Sequence, residues 1–127
     1  MIWHVLRDTL IGAILICGVA FVFGAPPVHA GECRQIKVSW YGNEHEGRKT
    51  ASGEVFRSAG LTAAMMDRKH FGERWKIHYG KRSVTVRVND TGDFAKYGRD
   101  MDLSEAAFGR LAPTDKGVIP VKACRVG

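Results

Sequence analysis

Ser83-Val-Thr-Val-Arg-Val-Asn-Asp-Thr-Gly-Asp93 is the stretch on which the fold turns. Val84, Val86 and Val88 alternate with Ser83, Thr85 and Arg87, the two-residue period of a strand with one buried face. Asn89 to Asp93 then concentrates turn-forming residues, so the reading is a strand that stops at Val88 and turns over 89–93. Upstream, Trp75, Ile77 and Tyr79 alternate in the same way, and Gly80-Lys81-Arg82 offers a tight turn between the two runs. That pair predicts a hairpin.

Working outward, Gln35 to Tyr41 alternates Ile36, Val38 and Trp40 against polar neighbours, another strand. Leu61-Thr-Ala-Ala64 reads as a short buried strand, and Val118 to Val126 as the last one. Gly42 to Gly53 is a polar, glycine-punctuated loop, and the charged segment from Met66 to Glu73 turns back at Gly72. One good helix stands out, Ser104 to Leu111, with Ser104 as its cap and Glu105 in the positive first turn. About six short strands and one helix predict a mainly all-β domain, a small closed barrel.

Residues 1–30 read as a secretory signal and not as fold. A polar start carrying Arg7 precedes the apolar run Thr9–Phe23, and Gly24 to Ala30 breaks helix, with Val28 and Ala30 at the −3 and −1 positions of a cleavage site. The rival is a retained membrane anchor, but that run falls short of the roughly 20 apolar residues needed to span a bilayer. Neither Cys17 nor Cys33 has the small preceding residue that lipoprotein processing wants. The expectation is one domain over 31–127, periplasmic or extracellular, monomeric, with no stable membrane anchor after cleavage.

A domain this small leaves its stability marginal without a staple. Cys33 and Cys124 remain at its two ends, and an even pair in an oxidising compartment suggests a disulfide, the alternative being two buried thiols. The net charge of +6 fits an anionic extracellular polymer such as a cell wall. No aromatic–basic motif supports nucleic acid as a partner. His45, His70 and His78 lack ligand-like spacing, so no metal and no cofactor are expected.

Five segments in order carry a resemblance: Ser39-Trp-Tyr-Gly42; Gly47-Arg-Lys-Thr-Ala-Ser-Gly-Glu54; Leu61-Thr-Ala-Ala64; Ser83 to Asp90 with Gly92 and Phe94; and Gly98-Arg-Asp-Met-Asp-Leu-Ser104. Together, over about residues 36–123, they resemble the rare lipoprotein A (RlpA-like) family of double-psi β-barrels. That resemblance implies a six-stranded barrel acting on peptidoglycan glycan strands. Enzymatic members are lytic transglycosylases, which cleave between N-acetylmuramic acid and N-acetylglucosamine and leave a 1,6-anhydro end. The alternative function is a non-catalytic wall-binding or wall-loosening module of expansin type, and a third class is an inhibitor of other enzymes.

The resemblance also implies a site. Asp90, in the Asn-Asp-x-Gly segment, is the expected acid-then-base catalytic group, and Glu54 would assist it by tuning Asp90 or by hydrogen-bonding substrate. Asp102 would bind glycan or stabilise developing positive charge, the alternative being a structural role that orients the helix start. Tyr41 is expected outward as a sugar-stacking face, with Trp40 buried, since strand neighbours face opposite sides. Enzymatic relatives carry histidine directly after Thr-Ala-Ala; here that groove position is Met65, which neither shuttles protons nor donates a strong hydrogen bond. The segment 66–70 is one residue longer than in relatives, which leaves His70 as a histidine that could reach the groove. After Asp90, Thr91 and Gly92 stand where arginine and proline are usual, and no glycan-binding repeat domain is expected after Gly127.

Overall fold

The computed structural model describes residues 31–127; the expected secretory signal and cleavage site lie outside the described residues. Six strands follow in chain order: β1 Cys33–Tyr41, β2 Thr62–Met65, β3 Arg74–Tyr79, β4 Arg82–Thr91, β5 Met101–Ser104 and β6 Ile119–Arg125. One helix, α1 Glu105–Gly109, follows β5, and short 3-10 turns sit at Asn43–His45, Arg68–His70, Ala95–Tyr97 and Thr114–Lys116. The strands close into a barrel in the order β1-β5-β2-β4-β3-β6. Closure pairs β6 back onto β1, so neither chain end leaves an open sheet edge.

The expected hairpin forms: β3 and β4 run antiparallel from Arg74↔Arg87 to Tyr79↔Arg82, joined by a two-residue loop whose Gly80 takes φ +58°. Their alternating residues Trp75, Ile77, Val84, Val86 and Val88 fill the barrel with Val38, Met101, Leu103 and Ile119. Ser104 caps α1, its hydroxyl accepting from the Ala107 N–H at 3.3 Å, and Phe108 seals one side of the core. Cys33 and Cys124 are disulfide-bonded where β1 and β6 lie directly opposite, so the staple locks the two ends of the described chain onto each other.

Two parallel pairs, β1 with β5 and β2 with β4, come together through the antiparallel contact of β2 with β5. Four contiguous strands therefore present their outer faces side by side. One departure from the sequence reading sits here. The strand does not end at Val88 but continues to Thr91, and its register against β2 steps from Ala63↔Val88 to Ala64↔Asp90, skipping Asn89. Under a strict two-residue period Asp90 would join Val84, Val86 and Val88 inside the barrel. The extra residue at Asn89 is a β-bulge that turns Asp90 to the outer face.

Candidate functional site

Register builds the site. Ala64 on β2 pairs with Asp90 on one side and with Asp102 on the other, and Asp102 pairs in turn with Ser39 on β1. Ser39, Asp102, Ala64 and Asp90 thus form one row across four strands on the barrel's outer wall. The two aspartates stand two strand spacings apart, about 10 Å between Cα atoms, with only a methyl group between them. Tyr41, two residues after Ser39, shares this face. A cleft of about 210 Å³ results, lined by Tyr41, His45, Ala64, Asp90, Asp102 and Phe94 with the Thr91–Gly92 backbone.

Each carboxyl group is held differently. Oδ1 of Asp90 accepts from the backbone N–H groups of Ala51, at 2.9 Å, and Thr91, at 2.8 Å, which anchors one oxygen and fixes the group's orientation. Asp102 accepts instead from the Ser39 hydroxyl at 2.6 Å, and Arg99 Nη1 donates to that hydroxyl at 2.7 Å. Burial holds the Asp102 carboxyl above the ordinary aspartate range, opposed by the Ser39 hydrogen bond and by the charges of Arg99 and His45. Burial thus favours the protonated form of Asp102, while the Ser39 hydrogen bond and the Arg99 charge favour its carboxylate.

Tyr41 differs from its expected role. It is 9% exposed and stacked on Phe56 with ring centroids 4.6 Å apart, so its face is not open to a sugar. What it offers is the phenol, which is buried beside the Asp90 carboxylate. Burial first, then the nearby Asp90 and Asp102 carboxylates, push its pKa well above the usual tyrosine value. Trp40 lies on the opposite side of β1, packed against the barrel core, and its indole N–H donates to the Thr114 carbonyl at 2.8 Å.

Met65 is not brought to the cleft. It is 5% exposed and belongs to the barrel's apolar cluster, because the strand alternates Ala63 in, Ala64 out, Met65 in. His70 is also elsewhere: its Nδ1 lies 2.9 Å from Glu73 Oε1, in a separate depression with Arg34, Trp75 and Arg125. Glu54 stands outside the cleft lining. Its carboxylate takes Arg87 in a bidentate pair, with one contact at 2.8 Å, and accepts from Asn89 Nδ2 at 3.0 Å. Those bonds hold the Glu54 carboxyl below its ordinary range. They also tie the Thr50–Glu54 loop, which supplies the Ala51 N–H to Asp90, onto the bulged strand.

His45 is the site residue that sequence reasoning missed. Its spacing to other histidines carried no signal. Its distance from Tyr41, one short turn beyond the end of β1, is the feature that could have found it. Gly92 is needed for a steric reason: a Cβ there would stand 2.5 Å from the Phe94 ring that walls the cleft.

Fold and cleft together define a double-psi β-barrel with an acid-lined site on its outer wall. A family model described as lytic transglycolase matches residues 34–123, and the chain belongs to that family. Among its relatives, an endolytic peptidoglycan transglycosylase RlpA of Campylobacter jejuni is 34% identical over 102 residues, 79% of this chain and 36% of that one. The protein of the same name from Pseudomonas aeruginosa is 40% identical over 86 residues, 66% of this chain and 25% of that one. The chain thus matches only about a third or less of these relatives' length. Among solved structures, the Streptomyces papain inhibitor superposes with a TM-score of 0.66 at 24% identity, covering 80% of this chain and all of that one. A Clavibacter michiganensis expansin superposes with a TM-score of 0.63 at 18% identity, covering 76% of this chain and 51% of that one. At these identities both show the fold alone.

Proposed function

We propose that this chain is an exported lytic transglycosylase that cleaves peptidoglycan glycan strands between N-acetylmuramic acid and N-acetylglucosamine to 1,6-anhydro products. The observation that carries the reading is the row Asp102–Ala64–Asp90, which puts two carboxyl groups on either side of a small residue in one cleft. Two carboxyls in unlike environments are what glycosidic cleavage uses, one to give a proton and one to face the positive charge that develops at C1.

The environments divide the labour. Asp102, biased toward the protonated form, donates to the departing glycosidic oxygen. Asp90, fixed by two backbone N–H groups, presents its carboxylate to the oxocarbenium-like carbon. Where the sequence assigned the acid-then-base role to Asp90, the acid here is Asp102, whose carboxyl pKa burial raises. The buried Tyr41 phenol donates to a substrate oxygen, and Glu54 acts through the loop that positions Asp90. The basic chain suits an anionic wall.

Digestion of purified sacculi, with products separated by mass spectrometry, tests the reading. Anhydro-muropeptides are expected from the wild type and not from Asp90→Asn. Binding to sacculi without anhydro products overturns it in favour of an expansin-like module, and no affinity for sacculi overturns both.

A further inference from the structure

When the bond from C1 to the departing oxygen breaks and C1 is captured by the sugar's own C6 oxygen, Asp102 supplies one proton and the C6 hydroxyl must lose another. We infer that His45, on the rim of the Asp90–Asp102 cleft, is the base that takes the C6 proton. This rests on the transglycosylase reading above and names a residue for the step which that reading leaves open.

The turn Asn43–His45 places it. The His45 N–H donates to the Gly42 carbonyl at 2.9 Å, and its own carbonyl accepts from Arg48 at 3.0 Å. This tight turn brings the imidazole back over the outer face of β1, edge-on to Tyr41, with ring centroids 5.5 Å apart and planes at 74°. The ring lines the same cleft as both aspartates. The charged and titratable groups facing it are Tyr41, Asp90 and Asp102 from the strands, Arg99 behind Ser39, and Glu44 on its own turn. Glu44 Oε2 lies 3.9 Å from His45 Nε2, beyond hydrogen-bond distance, so this pair does not lock the ring.

The side chain is 46% exposed, which lets it exchange protons with solvent while facing the site. Among the described residues the other two histidines are placed elsewhere, His70 against Glu73 and His78 on β3 opposite Ser83 and Lys122. A neutral imidazole carries one nitrogen lone pair able to accept a hydroxyl proton.

The step balances. The C1–O bond to N-acetylglucosamine breaks and a C1–O6 bond forms; Asp102 gives its proton to the leaving oxygen, and the O6 proton goes to His45. The exposed imidazolium gives its proton to solvent and Asp102 takes one up, which restores the starting state with no water consumed and nothing oxidised or reduced.

His45→Gln tests this with two readouts. In release of anhydro products from glycan oligomers, the rate at saturation is expected to fall about 10²–10⁴-fold with KM little changed, and the limb of the pH profile in the histidine range is expected to vanish. Independently, carbon NMR of the Asp102 carboxyl should show its titration midpoint rise in His45→Gln, because a neighbouring cation is gone. Wild-type cleavage together with an unchanged His45→Gln rate and pH profile overturns the inference alone, and so does an unmoved Asp102 midpoint. A wild type that releases no anhydro products overturns both it and the transglycosylase reading.

Discussion

Ala63 and Ala64 are adjacent, chemically identical and both buried, yet strand alternation gives them opposite surroundings. Ala63 is 0% exposed among the barrel's core residues; Ala64 is 3% exposed and forms the floor between Asp90 and Asp102. Replacing each in turn by valine adds the same two methyl carbons to each face. At Ala63 they enter a filled interior, where overpacking costs about 1–3 kcal/mol. In a domain of this size each kcal/mol lowers Tm by about 4–8 °C, so Ala63→Val should melt roughly 4–24 °C lower. At Ala64 the methyls project into a 210 Å³ opening that can receive them, and the stability cost should stay under about 1 kcal/mol. Substrate, however, would ride higher over the carboxyl pair, and a displacement of about 1 Å is worth about 10²-fold in rate. Thermal unfolding by circular dichroism and anhydro-product release, measured on both variants, decide the matter. The reasoning fails if Ala64→Val melts below Ala63→Val, or if Ala64→Val cleaves at the wild-type rate.

Two further outcomes follow from the site and the staple. Burial raises the folded Asp102 pKa above that of an ordinary aspartate in the unfolded chain, so between the two the folded state binds more protons than the unfolded chain. Stability contributed by this group is therefore present at low pH and lost as pH rises through the folded pKa. Asp102→Asn keeps the Ser39 hydrogen bond but cannot ionise; its Tm relative to wild type should climb from pH 3 to pH 7, while cleavage is abolished. A difference that does not change with pH, or a wild type more stable at pH 7, refutes this. The Cys33–Cys124 bridge closes a loop of sequence separation 91, for which chain entropy gives about 4.6 kcal/mol at 25 °C. Cys33→Ser/Cys124→Ser should lose stability of that order in denaturant titration, and a loss below about 1 kcal/mol would show that β1–β6 pairing suffices to close the barrel.

The local order of this chain is legible without its structure. Val84-Thr-Val-Arg-Val88 and Trp75-Lys-Ile-His-Tyr79 alternate because each strand has one face in the core, and Gly80 marks the only place between them where the chain can reverse tightly. Ser104 announces the helix through its capping hydroxyl. Cys33 and Cys124 pair as their compartment and number suggested. Asp90, Asp102 and Tyr41 were also picked out as site residues, and the cleft gathers all three.

Which side of a strand a residue takes near a bulge is another matter. Period-two reading assumes an unbroken ladder, and a single extra residue at Asn89 inverts every assignment beyond it. That bulge turns Asp90 outward, and the pairing of β2 between β4 and β5 leaves Ala64 outside and Met65 inside. The surroundings of Asp102 were likewise hidden. Burial raises its pKa, and the Arg99–Ser39 contact, which joins residues 60 positions apart, opposes that rise. Glu54 looked like a site carboxylate until its real partners, Arg87 and Asn89, came within reach across 33 and 35 residues. His45 had no motif of its own. Short-range periodicity and capping are written in neighbouring residues, so the sequence alone determined the strands, the helix and the staple. Register, burial and the meeting of distant charges arise only when the barrel closes, and those decided which groups share the cleft.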